Sequence, residues 1–149
     1  MKTIFLDIDG VINHDDWYER DDYFQNNFKD PDLDPNCIDL INDLCESTNA
    51  KIILSSDWRF HEQTTERLKR VGLDIFDKTI IDFKSYCRQS SRGEEIKNYL
   101  DNHPEIEKYI IFDDRTDICP EQLPYYIHIN PAHGLTKEHI EIAKKILEN

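Results

Sequence analysis

Three short apolar runs limit what this chain can fold into: "TIFLDI" (residues 3–8), "KIILSS" (51–56) and "YIIFDD" (109–114). Each is nearly unbroken and rich in isoleucine, and each ends in polar residues. That is the pattern of strands buried on both faces in a parallel sheet. "KTIIDF" (78–83) and "YYIHI" (125–129) are weaker strand candidates. Helical spacings lie between them: Ile38, Ile41, Leu44 and Cys45; then Phe60, Thr64, Leu68 and Val71; then Ile96, Tyr99 and Leu100; then Ile140, Ala143, Ile146 and Leu147. Pro35 marks the start of the first helix, "VGL" the end of the second, and Thr136 is the expected N-cap of the last. Strands that alternate with helices predict an α/β fold: a Rossmann-like three-layer sandwich around a central parallel sheet of about five strands.

A chain of 149 residues is the size of one ordinary domain, and a single domain over 1–149 is expected. One stretch departs from the alternation. Residues 14–34 carry eight acids, two bases and five aromatics with no clear period, and are expected to form a flap beside the site or a surface excursion. The formal charge of −13 argues against unaided binding to nucleic acid or an anionic membrane. There is no run of about 18 apolar residues for a membrane span, and the charged start gives no signal-peptide core, so a cytoplasmic location is expected. Cys37, Cys45, Cys87 and Cys119 show neither C-x-x-C nor zinc-like spacing and are expected to be packing residues. His14, His61 and His133 are expected at the surface.

Ligands of open parallel sheets bind beyond the carboxyl ends of the strands. Here those ends bring Asp7 and Asp9, Ser55 and Ser56, and Asp113 and Asp114. One D-x-D after a strand is weak, because acidic residues often end strands in solvent. A second acidic pair ending another buried strand is more informative, since gathered carboxylates repel unless a cation, a proton or hydrogen bonds compensate. An all-oxygen set suits a hard cation, Mg²⁺ above all. A calcium loop of the EF-hand type fails, because Gly10 at its sixth position puts Phe5 at the first.

"FLDIDGVI", "IILSS", "SSRGEEI" and "IIFDD" resemble, in order, the four motifs of the haloacid dehalogenase-like (HAD) phosphohydrolases. "SSDWR", "SRGEEIKNYL", "IIFDDR" and "HGLTKEHI" are similar, more narrowly, to the HAD phosphatase domains of nucleic-acid end-repair proteins, including polynucleotide kinase-phosphatases. The resemblance implies a Mg²⁺-dependent phosphomonoesterase with Asp7 as nucleophile and Asp9 as general acid and base. It implies a cation held by Asp7, the Asp9 backbone carbonyl and Asp114, with Asp113 in the outer shell and Asp117 a further candidate there. Ser56 or Ser55 would bind the phosphoryl oxygens, and Arg92, or Lys97 one turn on, would stabilise their charge. Trp58 and Arg59 could touch substrate, the first as an aromatic face for a base and the second as a fork for another phosphate, or could serve packing and local ion pairs.

Two rival readings remain. A phosphorylation-receiving signalling module also gathers acids at a sheet edge, but has its acidic pair first and a lone aspartate later. A non-catalytic binding or scaffold domain could keep the same fold. The intervals between motifs leave no room for a cap domain, so the flap alone would cover the site. An open site suits a polynucleotide end or a phosphoprotein, whereas the charge of −13 favours a small phosphate ester or help from a protein partner.

Overall fold

The computed structural model describes residues 1–20, 29–80 and 91–148. Among them, β1 (Lys2–Leu6), β2 (Lys51–Leu54), β3 (Ile75–Asp77), β4 (Lys108–Asp113) and β5 (Tyr126–His128) form one sheet in the order β3-β2-β1-β4-β5. All of its pairings are parallel. The chain runs outward from β1 to β3, then crosses back to add β4 and β5. The order therefore reverses between β1 and β4, where such sheets open a crevice.

The pleat sorts the three central strands into two layers. Ile4, Leu6, Ile52, Leu54, Ile110 and Phe112 face one side, with α2 (Pro35–Thr48), α3 (Thr64–Arg70) and α5 (Lys137–Glu148). Phe5, Ile53 and Ile111 face the other, with Ile96 and Tyr99 of α4 (Arg92–Asp101). Helix α2 follows the rules for helix ends: Asp34 caps the Asn36 N–H, Pro35 opens the first turn, and Asn49 closes the helix at φ 58°. Its Ile41 and Leu44 are fully buried, each contributing about 1.5–3 kcal/mol by leaving water. Thr136 starts α5 as expected, its carbonyl accepting from Ile140 N–H at 3.3 Å.

Several expectations are corrected. The third strand is Ile75–Asp77, and residues 78–80 lie beyond it. Asp77 Oδ1 accepts the Thr79 N–H at 3.0 Å, a turn that ends the strand before "KTIIDF" starts to pair, although Ile80 still buries its side chain. Residues 81–83 of that candidate lie outside the described residues. The helix predicted from Phe60 to Val71 is two pieces, a 3-10 turn (Asp57–Phe60) and α3, and Phe60 is 52% exposed. The period-free stretch 14–34 contains a short helix, α1 (Asp15–Tyr18). Its Trp17 is buried and donates to the Pro31 carbonyl at 2.9 Å, tying the two ends of the stretch together. The middle of the expected flap, residues 21–28, lies outside the described residues.

His14 is buried, against the expectation of a surface position. Its Nδ1 accepts the Trp17 N–H at 3.3 Å, so Nε2 carries the proton and donates to Asp34 Oδ2 at 2.7 Å. The neighbouring Cys37 thiol is pushed up to about 12 by burial and the Asp34 charge. His14 and Asp34 already satisfy helix ends, so this His14–Asp34–Cys37 group reads as packing, as expected for the cysteine. Cys45 and Cys119 are half-buried free thiols, and Cys87 lies outside the described residues. His61 and His133 are exposed.

Candidate active site

The residue after β1 stands at the switch point. Asp7 N–H donates to Phe112 O and Ser55 N–H to Leu6 O, both at 3.0 Å, so the ladder continues one step past the named strands. Leu6 is level with Leu54 and Phe112, which sets Asp7, Ser55 and Asp113 level on three neighbouring strands. By alternation they share the face of Phe5, Ile53 and Ile111, the face that α4 covers.

Asp7 is buried and Asp9 is exposed, so the D-x-D pair spans the boundary of the core. Gly10 turns the chain at φ +82°, and a Cβ there would lie 2.5 Å from Asp114 Oδ2. Glycine thus serves both the turn and the close approach of Asp114. Asp113 Oδ1 accepts the Arg115 N–H at 2.9 Å, and its Oδ2 lies 3.3 Å from Arg92 Nε.

Asp7, Asp113 and Asp114 each offer an oxygen within 4.8 Å of the other two. Burial, then the Asp113 charge, holds the Asp7 carboxyl well above the usual carboxylate range, and burial likewise raises Asp113. An all-oxygen cluster in which buried Asp7 and Asp113 resist ionisation beside half-buried Asp114 fits a divalent cation such as Mg²⁺, which would offset the repulsion.

Arg92 supplies the opposing charge. It is 2% exposed, at the first position of α4. Ser91 caps the helix reciprocally with Glu94. From the loop after β4, Asp117 Oδ2 accepts the Arg92 N–H at 3.0 Å and Asp117 O accepts the Gly93 N–H at 2.9 Å. Arg92 Nη2 lies 4.0 Å from Asp7 Oδ1 and 3.9 Å from Asp57 Oδ1. Its buried Nη1 makes no hydrogen bond among the described residues. Lys97, the other candidate for this place, is exposed and pairs with Asp101 at 3.0 Å.

The two serines differ. Ser56 Oγ accepts the Trp58 N–H at 3.2 Å and so caps the 3-10 turn. Ser55 Oγ, level with Asp7, is buried with no hydrogen-bond partner among the described residues. Trp58 reaches the site: its Nε1 donates to Asp9 Oδ1 at 3.0 Å, and Asn13 Nδ2 donates to the same oxygen at 2.9 Å.

Arg59 takes the second of its two expected roles, packing and ion pairing. It is buried, with Nε on Ile80 O, Nη1 on the Ser55 and Ser56 carbonyls, and Nη2 on Glu95 Oε2 at 2.9 Å. With every nitrogen engaged it clamps the end of β2 to α4 and offers no fork to substrate. Asn13, Asp57 and Glu95 are the participants that the sequence reading missed. Asn13, the end of "DIDGVIN", carried a local signal, since its Oδ1 also accepts the Gly10 N–H at 2.9 Å. Glu95 carried none, because its partner comes from another element; Asp57 has a local partner in Arg59 at 3.6 Å, but its approach to Arg92 crosses elements.

The parallel sheet, the carboxylates at its reversal point and a buried cation on the helix beside them define a haloacid dehalogenase-like domain, a class of phosphatase-type hydrolases. Within that class the chain belongs to the family described as the HAD domain in Swiss Army Knife RNA repair proteins, which matches residues 3–140. Neither the curated proteins nor the solved structures give a significant match. Among the described residues no helix is long and apolar enough to cross a membrane.

Proposed function

We propose that the protein is a Mg²⁺-dependent phosphomonoester hydrolase that works through an aspartyl-phosphate, on a phosphate borne by a nucleotide or nucleic-acid end. The observation that carries this is the cluster of buried Asp7 and Asp113 with half-buried Asp114, and the buried Arg92 beside Asp7 and Asp113. Asp7, the Asp9 carbonyl and Asp114 would hold the cation, which supplies charge neutralisation for an anion that approaches a carboxylate. Asp113, engaged by Arg92 and the Arg115 N–H, belongs to the outer shell.

Asp7 attacks phosphorus, forming an O–P bond as the bond to the leaving oxygen breaks. Asp9 gives that oxygen its proton, then takes one from the water that hydrolyses the intermediate and frees Asp7. Trp58 and Asn13 hold one oxygen of Asp9, leaving the other for the proton. Arg92 and Ser55 bind the phosphoryl oxygens, work that suits a buried guanidinium and a hydroxyl without a partner among the described residues. Asp117 fixes Arg92 through its backbone.

The test is hydrolysis of an aryl phosphate by purified protein, with Mg²⁺ and with chelator. Asp7→Asn is expected to lower kcat by about a thousandfold or more. Full turnover by that variant, or by chelated enzyme, overturns the reading.

A further inference from the structure

Beside the catalytic carboxylates lies an open cavity of about 600 Å³ that shares Trp58 with them. Phe60, His61, Thr64 and Arg67 also line it. From it we infer that the enzyme reads the leaving group, holding the planar base of the nucleoside that carries the phosphate. The inference rests on the catalytic reading above and adds to it a subsite for the substrate.

Position is the first argument. Asp9 protonates the leaving oxygen, and the Trp58 indole donates to Asp9 across 3.0 Å. The group departing with that oxygen is therefore delivered next to Trp58, whose ring also walls the cavity. Preorganisation is the second. Both rings are backed by guanidinium groups that are themselves fixed: Arg67 Cζ sits 4.5 Å from the Trp58 centroid and Arg59 Cζ 4.2 Å from that of Phe60. Arg67 is held by Asp30 and Asp32, and Arg59 by the clamp described above. Thr64 also donates to the Trp58 carbonyl. Phe60 thus presents a fixed ring while 52% exposed, a placement with little packing return that suits stacking on a flat ligand.

Charge is the third argument. Arg67 is already paired with two carboxylates, and Glu62 is the other charged group of the lining. Among the described residues of the lining no unpaired Arg or Lys is offered to a second phosphate, and the cavity favours an uncharged heteroaromatic. Its volume lies in the usual range for small-ligand sites.

The test compares kcat/KM of the full chain with Mg²⁺ on adenosine 3′- and 5′-monophosphates, on short RNAs with the same terminal phosphates, and on glycerol 2-phosphate, which has no base. Preference for at least one nucleotide over glycerol phosphate is expected, and Phe60→Ala is expected to lower that ratio about tenfold, mainly through KM, while Phe60→Tyr restores it. The mononucleotide and RNA arms separate a free nucleotide from a strand end, and the preferred one must show the Phe60 dependence. Hydrolysis with no preference for a base, or a ratio indifferent to Phe60→Ala, overturns the inference and leaves the catalytic reading intact. No hydrolysis of any substrate overturns both.

Discussion

Ser55 and Ser56 are adjacent and both buried, yet the end of β2 divides their work. Ser55 continues the ladder beside Asp7, and Ser56 turns away to cap Trp58 N–H. Their alanine variants should separate. Ser55→Ala is expected to reduce kcat about a hundredfold, the usual scale for one lost donor to a developing charge. Ser56→Ala is expected to cost about 1 kcal/mol of stability with kcat nearly kept. Steady-state kinetics with urea denaturation distinguishes them, and the reverse pattern would move the phosphate contact to Ser56. Sequence could not make this choice, because the two hydroxyls differ by one position along a strand whose last residue was uncertain. The D-x-D pair was legible for the opposite reason, since Gly10 and the apolar run before Asp7 fix their place together.

At the scale of elements, the Arg59–Glu95 pair joins the end of β2 to α4 with both side chains about fully buried. Removing one member of such a pair deprives a buried charge of its partner. Arg59→Ala should therefore destabilise the fold by about 3 kcal/mol, read as a lower denaturation midpoint, and an exposed-site effect below about 0.5 kcal/mol would contradict the burial. The long buried strands β1, β2 and β4 and the amphipathic helices were readable because apolar period depends on local sequence alone. Strand β3 was not, because three residues ended by an Asx turn leave almost no period. Phe60 misled for a related reason. It continues the helical spacing of α3, but the chain unwinds at residues 61–63 and turns the ring outward.

For the whole molecule, the carboxylate cluster should link stability to pH and, on the proposed reading, to Mg²⁺. Asp7 and Asp113 hold protons in the folded state to higher pH than in the unfolded chain. The folded state then binds more protons, so without metal its stability should fall as pH rises above the ordinary carboxylate range. Mg²⁺ that binds only the folded form opposes this, by about 2.7 kcal/mol at a hundred times its Kd. Thermal melts at pH 5 and pH 8 should show a larger Mg²⁺-induced rise in Tm at pH 8. An equal rise at both would separate the cation from these carboxylates.

The grip of Asp117 on the first turn of α4 means that Arg92 takes part of its position from the chain that follows it. The backbone contacts come from the loop after β4, and the guanidinium meets Asp113 on the strand itself. A change in the loop after β4 would therefore reach the site through the first turn of α4.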